Sequence, residues 1–549
     1  MSFLRACIVG LLALVLVAGC TADHQAEPDP ADPTVRTALP DADTTVVPGT
    51  GAVELAVATS QALYLGSPAV VLVGDGDTDA LPRAGEAARE LGVPVLVAPT
   101  ADSPAEAGPP AEAGPPVQAP AHAEPVAGPT PGGTPSAGAT PASPTDGVLA
   151  EIQRLGARVV LTAGAAAAQW VATLTLPPGV AVVAVDDPAP VEVTPPEPLS
   201  SLLVLAEGTL ADAAAVATAR AAGAEVLVLG TTDPRATAES VQAVADAASE
   251  RGPGGAASGE GDPLGKVLAL GSAFGPADRL RQRVATAATG AQLPGGGQLV
   301  FPGRRMVALY GHPGDPGLGV LGEQPVEAAV GRAQQLAASY QAYVGEPVVP
   351  AFEIIVTVAT GRTGSRAHPV EKFRPWVQAA REAGVYVVLD LQPGDVHFLE
   401  QARLYEELLR EPHVGLALDP EWRVQPGKQH MVQIGSVDAA EINEVGQWLA
   451  QLTRDHNLPQ KVLMLHQFRL DMISNRPALV TDYDELRVVI HADGFGSPGA
   501  KHNTWNTLHV DAPANVVWGW KNFYDEDKPT FTAEQTMAVS PEIVFVSYQ

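Results

Sequence analysis

Eight strand-like runs follow one another through residues 305–549, most of them separated by helical runs. They are "RMVALYGHPG" (305–314), "VVPAFEIIVTVAT" (348–360), "VYVVLDLQPG" (385–394), "VGLALDPEW" (414–422), "KVLMLHQF" (461–468), "LRVVIHADGFG" (486–496), "NVVWGWKNFY" (515–524) and "EIVFVSYQ" (542–549). "PVEKFRPWVQAAREAG" and "SVDAAEINEVGQWLAQLTRDHN" are two of the intervening runs, with apolar faces at helical spacing. Eight strands alternating with helices over about 250 residues fit a (β/α)8, TIM-like barrel, placed at 303–549. The segment "RLDMISNRPALVTDYDE" and the one after the sixth run read as loops or short helices. The Gly-rich "HADGFGSPGAKHNTW" (491–505) reads as a mobile loop over a pocket.

Such barrels hold their ligands at the C-terminal strand ends. Polar and aromatic residues gather there: Tyr310 and His312, Asp390 and Gln392, Asp419 and Glu421, His466 and Gln467, His491 and Asp493, Trp518 and Trp520, and Tyr548. Asp419 and Glu421 are two apart, so both face one side of their strand, roughly 6.5–7 Å between Cα atoms. Paired carboxylates divide acid and stabilising roles when their surroundings push their pKa values apart. Asp419, Glu421 and Asp390 are therefore the catalytic candidates. The other strand-end residues, with Trp422, are the substrate-binding candidates; indoles offer a platform for sugar rings. Two alternatives stay open. The pair can be a solvated strand end that caps the next loop. His466 and His491, with Asp493 and Asp390, can instead hold a metal for assisted hydrolysis.

The D-x-E of Asp419 and Glu421 at the end of the fourth run resembles the chitinase-type and bacterial-muramidase-type glycoside hydrolases. That resemblance implies Glu421 as the acid, Asp419 as its partner and Asp390 nearby. Histidines on the fifth and sixth runs resemble the arrangement of amidohydrolase-type barrels. No GxGxxG in a dinucleotide context, Walker pattern or GxSxG elbow is present, so no cofactor is expected.

The first half reads differently. Between 51 and 300, runs such as "AVVLVGDGD", "ALPRAGEAARELG", "VPVLVAPT", "ARVVLTAG", "AEVLVLGTT" and "KVLALGSAFG" alternate strand and helix, with Gly at helix ends. This predicts a Rossmann-like α/β region of two related units. "SPAVVLVGDGDTDALPRAGEAARELGVPVLVAPT" and "LAEIQRLGARVVLTAG" resemble cell-wall-binding repeat 2, over roughly 51–175 with a weaker echo to 290. The resemblance implies a non-covalent hold on an anionic wall polymer. "GDGDTD" (74–79) follows a strand and so does not fit a calcium-binding EF-hand. Residues 101–147 contain "PAEAGPPAEAGPP" and cannot bury a core, so they read as a disordered insert. "RGPGGAASGEGDP" (251–263) reads as a second flexible patch.

The chain opens with "MSFLRACIVGLLALVLVAGC": one arginine, a short apolar run and small residues before Cys20. Val17-Ala18-Gly19-Cys20 resembles a bacterial lipobox, which implies lipidation of Cys20 and a membrane anchor on the extracytoplasmic face. Residues 21–50 read as a flexible stalk. Both cysteines, Cys7 and Cys20, lie in this leader, so the body has no disulfide. A net charge of −29 repels phosphate backbones and argues against nucleic acid. The sequence thus predicts a lipid-anchored protein with a carbohydrate-active barrel, or one that holds a glycan or cell-wall polymer without cleaving it.

Overall fold

The computed structural model describes residues 32–100, 143–187, 191–251 and 264–549. The signal segment with Cys20, most of the 101–147 insert and most of the 251–263 patch lie outside the described residues.

The first half builds two four-stranded parallel sheets. One runs Val95–Ala98, Ala69–Gly74, Val159–Ala163, Ala181–Ala184 in spatial order. The other runs Thr44–Val47, Lys266–Leu270, Leu202–Ala206, Glu225–Val228. The stalk is therefore shorter than expected. Thr44–Val47 pairs in parallel with Val267–Leu270, and Arg36–Thr37 pairs with Tyr64–Gly66. The run "TTVV" is strand-forming, and a sheet edge gives its backbone partners that a stalk lacks. The insert also ends earlier than expected. Helix Pro144–Leu155 begins inside it, with Ser143 and Asp146 closing a capping box.

The second half is a closed barrel of eight parallel strands: β1 (Arg305–Gly311), β2 (Val348–Thr360), β3 (Tyr386–Leu391), β4 (Val414–Leu418), β5 (Lys461–Gln467), β6 (Leu486–Ala492), β7 (Val517–Asn522) and β8 (Ile543–Tyr548). β1 pairs with both β2 and β8, which closes the ring. β2 runs on beyond the ring as a ribbon with the antiparallel strand Gly364–Ala367. Between β5 and β6 lie short 3₁₀ turns and the two-residue strand Ile473–Ser474, which pairs in parallel with Val437–Asp438.

Alternation along each strand sorts side chains into an inner and an outer set. The inner set includes Met306, Ala308, Ala351, Val388, Ala417, Met464, Val489 and Phe545, which form one core closed at its base by Val300 and Phe301. The outer set, including Leu309, Phe352, Leu389, Leu416 and Leu465, packs against the helices. Each large apolar side chain so buried contributes roughly 1.5–3 kcal/mol. The first half meets the N-terminal end of the barrel. Arg283, in helix Ala277–Ala288, bonds Asp484 just before β6, and Arg235 bonds the same carboxylate. The C-terminal mouth lies at the other end of the strands.

A glycine is required in the lower interior of the barrel. The Tyr386 hydroxyl accepts the Val462 N–H at 3.1 Å across the lower interior. A Cβ on Gly415 would stand 3.0 Å from that hydroxyl and 2.8 Å from the Val462 carbonyl. Gly415→Ala should therefore cost about 1–3 kcal/mol, read as a lowered urea midpoint with an unchanged slope.

Candidate active site

The inward positions at the C-terminal ends of the strands are polar, directly above the apolar interior. Tyr310 (β1), Glu353 (β2), Asp390 (β3), His466 (β5), His491 (β6), Lys521 (β7) and Ser547 (β8) occupy this layer, with Asp419 just past β4 and Asp493 just past β6; all are buried. Register places them side by side: Tyr310 is level with Glu353, His466 with His491 and Lys521 with Ser547.

His466 is the hub. Its Nε2 lies 2.7 Å from Glu353 Oε1 and its Nδ1 lies 2.9 Å from Asp493 Oδ2. Tyr310 donates its hydroxyl to Asp390 Oδ2 at 2.9 Å. Lys521 Nζ sits 3.4 Å from the centre of the Tyr310 ring, a cation–π contact. His491 Nε2 lies 2.7 Å from Ser547 Oγ. The His491 ring fills the space beside Gly519, where a Cβ would stand 2.2 Å from Nδ1. Asp419 Oδ1 accepts the Glu421 N–H at 3.2 Å and so caps the 3₁₀ turn Pro420–Trp422. The capping role weighed from the sequence is thus present, and Asp419 also belongs to the acid cluster.

The electrostatics follow from burial and proximity. Burial pushes the Glu353 carboxyl up, but His466 beside it prevails and holds it down at about 2. Burial disfavours a charged His466, yet Glu353 and Asp493 hold its pKa well above the usual range. The pair is a buried carboxylate–imidazolium clamp. Burial raises Asp390 to about 6, with Glu353 adding to the rise and His466 opposing it. Burial and then Glu421 push Asp419 well above the carboxylate range. Burial, followed by Asp493, lifts Glu421 to about 7. Burial drives His491 well below 6.5, so it is neutral. Asp390 Oδ1, Asp493 Oδ1 and Glu353 Oε2 are buried without a hydrogen-bond partner.

Above this layer opens a cleft of about 560 Å³, lined by Glu421, Trp422, Met431, Val432, Gln433, Ile434, Arg469 and Asp471. Glu421 is the member of the acid cluster that lines it. The remaining carboxylates lie beneath, out of solvent.

Six sequence candidates are not brought into the cluster. Gln467, Trp518, Trp520 and Tyr548 have the outward parity of their strands. Trp518 stacks on His509, Trp520 packs against Trp505, and Tyr548 bonds Tyr340, all in the outer layer. Gln467 donates to the Arg469 and Leu470 carbonyls. Gln392 accepts the Ala359 N–H and secures the β2 ribbon. His312 lies beyond the inner layer, bonded to the Ile355 carbonyl and packed against His368 and Phe373. The expected mobile loop at 491–505 is also corrected. Ser497 caps a helix over Pro498–Leu508, and Lys501 inside it is buried, bonded to Asp527 at 2.9 Å and to the Lys521 carbonyl.

Sequence reasoning missed Glu353, Lys521 and Ser547. A single glutamate inside the thirteen-residue apolar strand β2 was the available signal, because a lone buried carboxylate requires a partner. The metal alternative finds no ligand set. Among the described residues no group of three or more His, Cys, Asp or Glu is arranged to hold an ion. Both nitrogens of His466 are engaged by carboxylates, and His491 Nε2 by Ser547.

The raised Glu421 value has a consequence for stability. Its folded value of about 7 lies above the ordinary 4.5, so the folded state binds the extra proton between them. This contribution to stability is complete at low pH and is lost as pH rises through about 7. Glu421→Gln cannot ionise. It should exceed the wild type in stability by on the order of 1–3 kcal/mol near pH 8, with the margin vanishing near pH 4, as read from urea unfolding at the two pH values.

No family model matches the chain, and no curated protein does. The solved structures that resemble it include two glycoside-hydrolase-like barrels. The xylanase and alpha-amylase inhibitor protein from Scadoxus multiflorus has 11% sequence identity and a TM-score of 0.28, over 44% of this chain and 92% of that one. A chitinase from Chromobacterium violaceum has 14% identity and a TM-score of 0.24, over 43% of this chain and 75% of that one.

Proposed function

We propose that the barrel is a carbohydrate-active hydrolase of glycoside-hydrolase type, with Glu421 as its general acid. One observation carries this reading: Glu421 is poised at about 7 and lines a cleft of about 560 Å³, with Asp419 and Asp390 behind it. A glycosidic oxygen needs a proton as its bond breaks, and an acid with a pKa near the working pH supplies it best. Once the proton leaves, His466 and Lys521 favour the Glu421 carboxylate, since both lower its pKa. The Glu353–His466–Asp493 clamp therefore serves the acid without touching substrate. Asp419 sets the turn that carries Glu421 and stands where it can assist.

In the same reading the protein works at the cell envelope. Cys20 carries a lipid that anchors it to the extracytoplasmic face of a membrane, and the two-sheet region holds a wall polymer. The support is the sequence: the Val17-Ala18-Gly19-Cys20 motif, the apolar leader and the similarity of 51–175 to cell-wall-binding repeat 2. A second reading, a mouth that holds a glycan without cleaving it, is favoured by the enclosure of Asp390, Asp419 and His466, all buried.

Glu421→Gln separates the two. Under the hydrolase reading it lowers turnover of envelope glycans by at least a hundredfold while retaining binding, and the wild-type rate falls as pH rises past about 7. Wild-type protein that binds such glycans and releases no product supports the second reading. For the anchor, Cys20→Ser should move the protein from the membrane fraction to the soluble fraction, and continued sedimentation with membranes would reject lipidation at that residue.

A further inference from the structure

The cleft above Glu421 has a mixed lining. Its other polar members are Gln433 and the Arg469–Asp471 ion pair, whose charged groups meet at 2.6 and 2.8 Å. Its apolar members are Trp422, Met431, Val432 and Ile434. Met431 is 88% exposed, Val432 73% and Ile434 43%. Single exposed apolar side chains are ordinary. Three within four residues, on the wall of the cleft that holds the accessible acid, are not scattered.

The loop that bears them is fixed relative to Glu421. The Gly435 N–H donates to the Glu421 carbonyl at 2.7 Å, and the Ser436 N–H donates to the Arg423 carbonyl at 3.0 Å. A Cβ on Gly435 would stand 2.4 Å from the Glu421 carbonyl oxygen and 2.6 Å from that of Pro420. Only glycine allows the loop to return this close to the turn of the acid. On its other side, the His430 N–H donates to the Arg362 carbonyl at 2.8 Å, and His430 Nε2 lies 3.0 Å from the Gly364 carbonyl. The apolar lip is thus tied at one end to the backbone of Glu421 and at the other to the β2 ribbon.

We propose that this lip is a subsite for an apolar aglycone: the substrate is a glycoside whose leaving group carries an alkyl or acyl chain, as in a glycolipid. The inference rests on the reading of Glu421 as the acid. The leaving-group oxygen receives its proton from Glu421, so the leaving group must lie on the side where Glu421 meets the cleft. The lining it meets there includes Trp422, Met431, Val432 and Ile434.

The test is a binding series. n-Alkyl β-D-glucosides and n-alkyl N-acetyl-β-D-glucosaminides, from methyl to octyl and below micelle concentrations, are titrated by calorimetry. The proteins are the wild type, E421Q and the triple variant M431S/V432S/I434S, whose exposed positions leave the core untouched. A Leu404→Ser variant, altered at an exposed apolar side chain elsewhere, controls for nonspecific adsorption. In the wild type and E421Q the affinity should rise roughly threefold per added methylene over the first few carbons. The dependence should flatten in the triple variant and persist in the control. A flat series in the wild type, absence of binding at every chain length, or an unchanged slope in the triple variant would overturn the proposal. The acid reading fails separately. Undiminished turnover in E421Q removes it whatever the alkyl series shows, and glycan turnover with a flat series removes the lip alone.

Discussion

The mouth of the barrel is organised by one buried imidazolium. His466 stands between Glu353 and Asp493, at 2.7 and 2.9 Å, with no exposed surface of its own. A buried charge is tolerated only when paired and hydrogen-bonded, and here each partner justifies the other. Glu353 stays ionised because His466 is charged, and His466 stays charged because two carboxylates face it. Even beside that clamp, burial keeps the surrounding carboxylates from all ionising. Asp390, Asp419 and Glu421 rise together because burial and mutual repulsion outweigh the attraction of His466 and Lys521.

The mouth divides into a sealed layer and an accessible acid. Asp390, Asp419 and His466 are covered, whereas Glu421 sits two residues past Asp419 on a 3₁₀ turn that lifts it to the cleft wall. Of the clustered carboxylates, Glu421 is the one that lines the cleft. The residues beneath set its proton affinity and its orientation. Glycines make the arrangement possible at two points: Gly519 leaves room for the His491 ring, and Gly435 lets the cleft loop touch the turn. Neither position carries chemistry of its own, and both are required by the close approach of neighbouring groups.

Much of the fold could be read from the chain. The eight strand runs, their order and the polar character of their C-terminal ends followed from period and spacing, as did the strand–helix alternation of the first half. Part of the site was also legible: Asp390, Asp419, Glu421, His466, His491 and Asp493 come together. Trp518, Trp520, Gln467 and Tyr548 were read as site residues because they lie at the right strand ends, but they face the helices. A shift of one residue along a strand reverses its face, and an apolar strand buried on both sides gives no alternation by which to tell inner from outer. Trp518 and Trp520 find apolar partners outside, so nothing in their own chemistry betrays the direction. Glu353 was missed for the converse reason: it lies in mid-strand, away from the ends where polar residues gathered.

By itself, the sequence determined that a closed α/β barrel follows a Rossmann-like region, and that acids and imidazoles cluster at one end of the strands. Those features depend on periodicity and composition, which are local properties of the chain. The tertiary structure decided which face each strand turns inward, that Glu353 meets His466 across 113 positions of sequence, and that Glu421 is the acid which reaches the cleft. These depend on strand register and ring closure, which set the distance between charges, and that distance is written in no short stretch of residues.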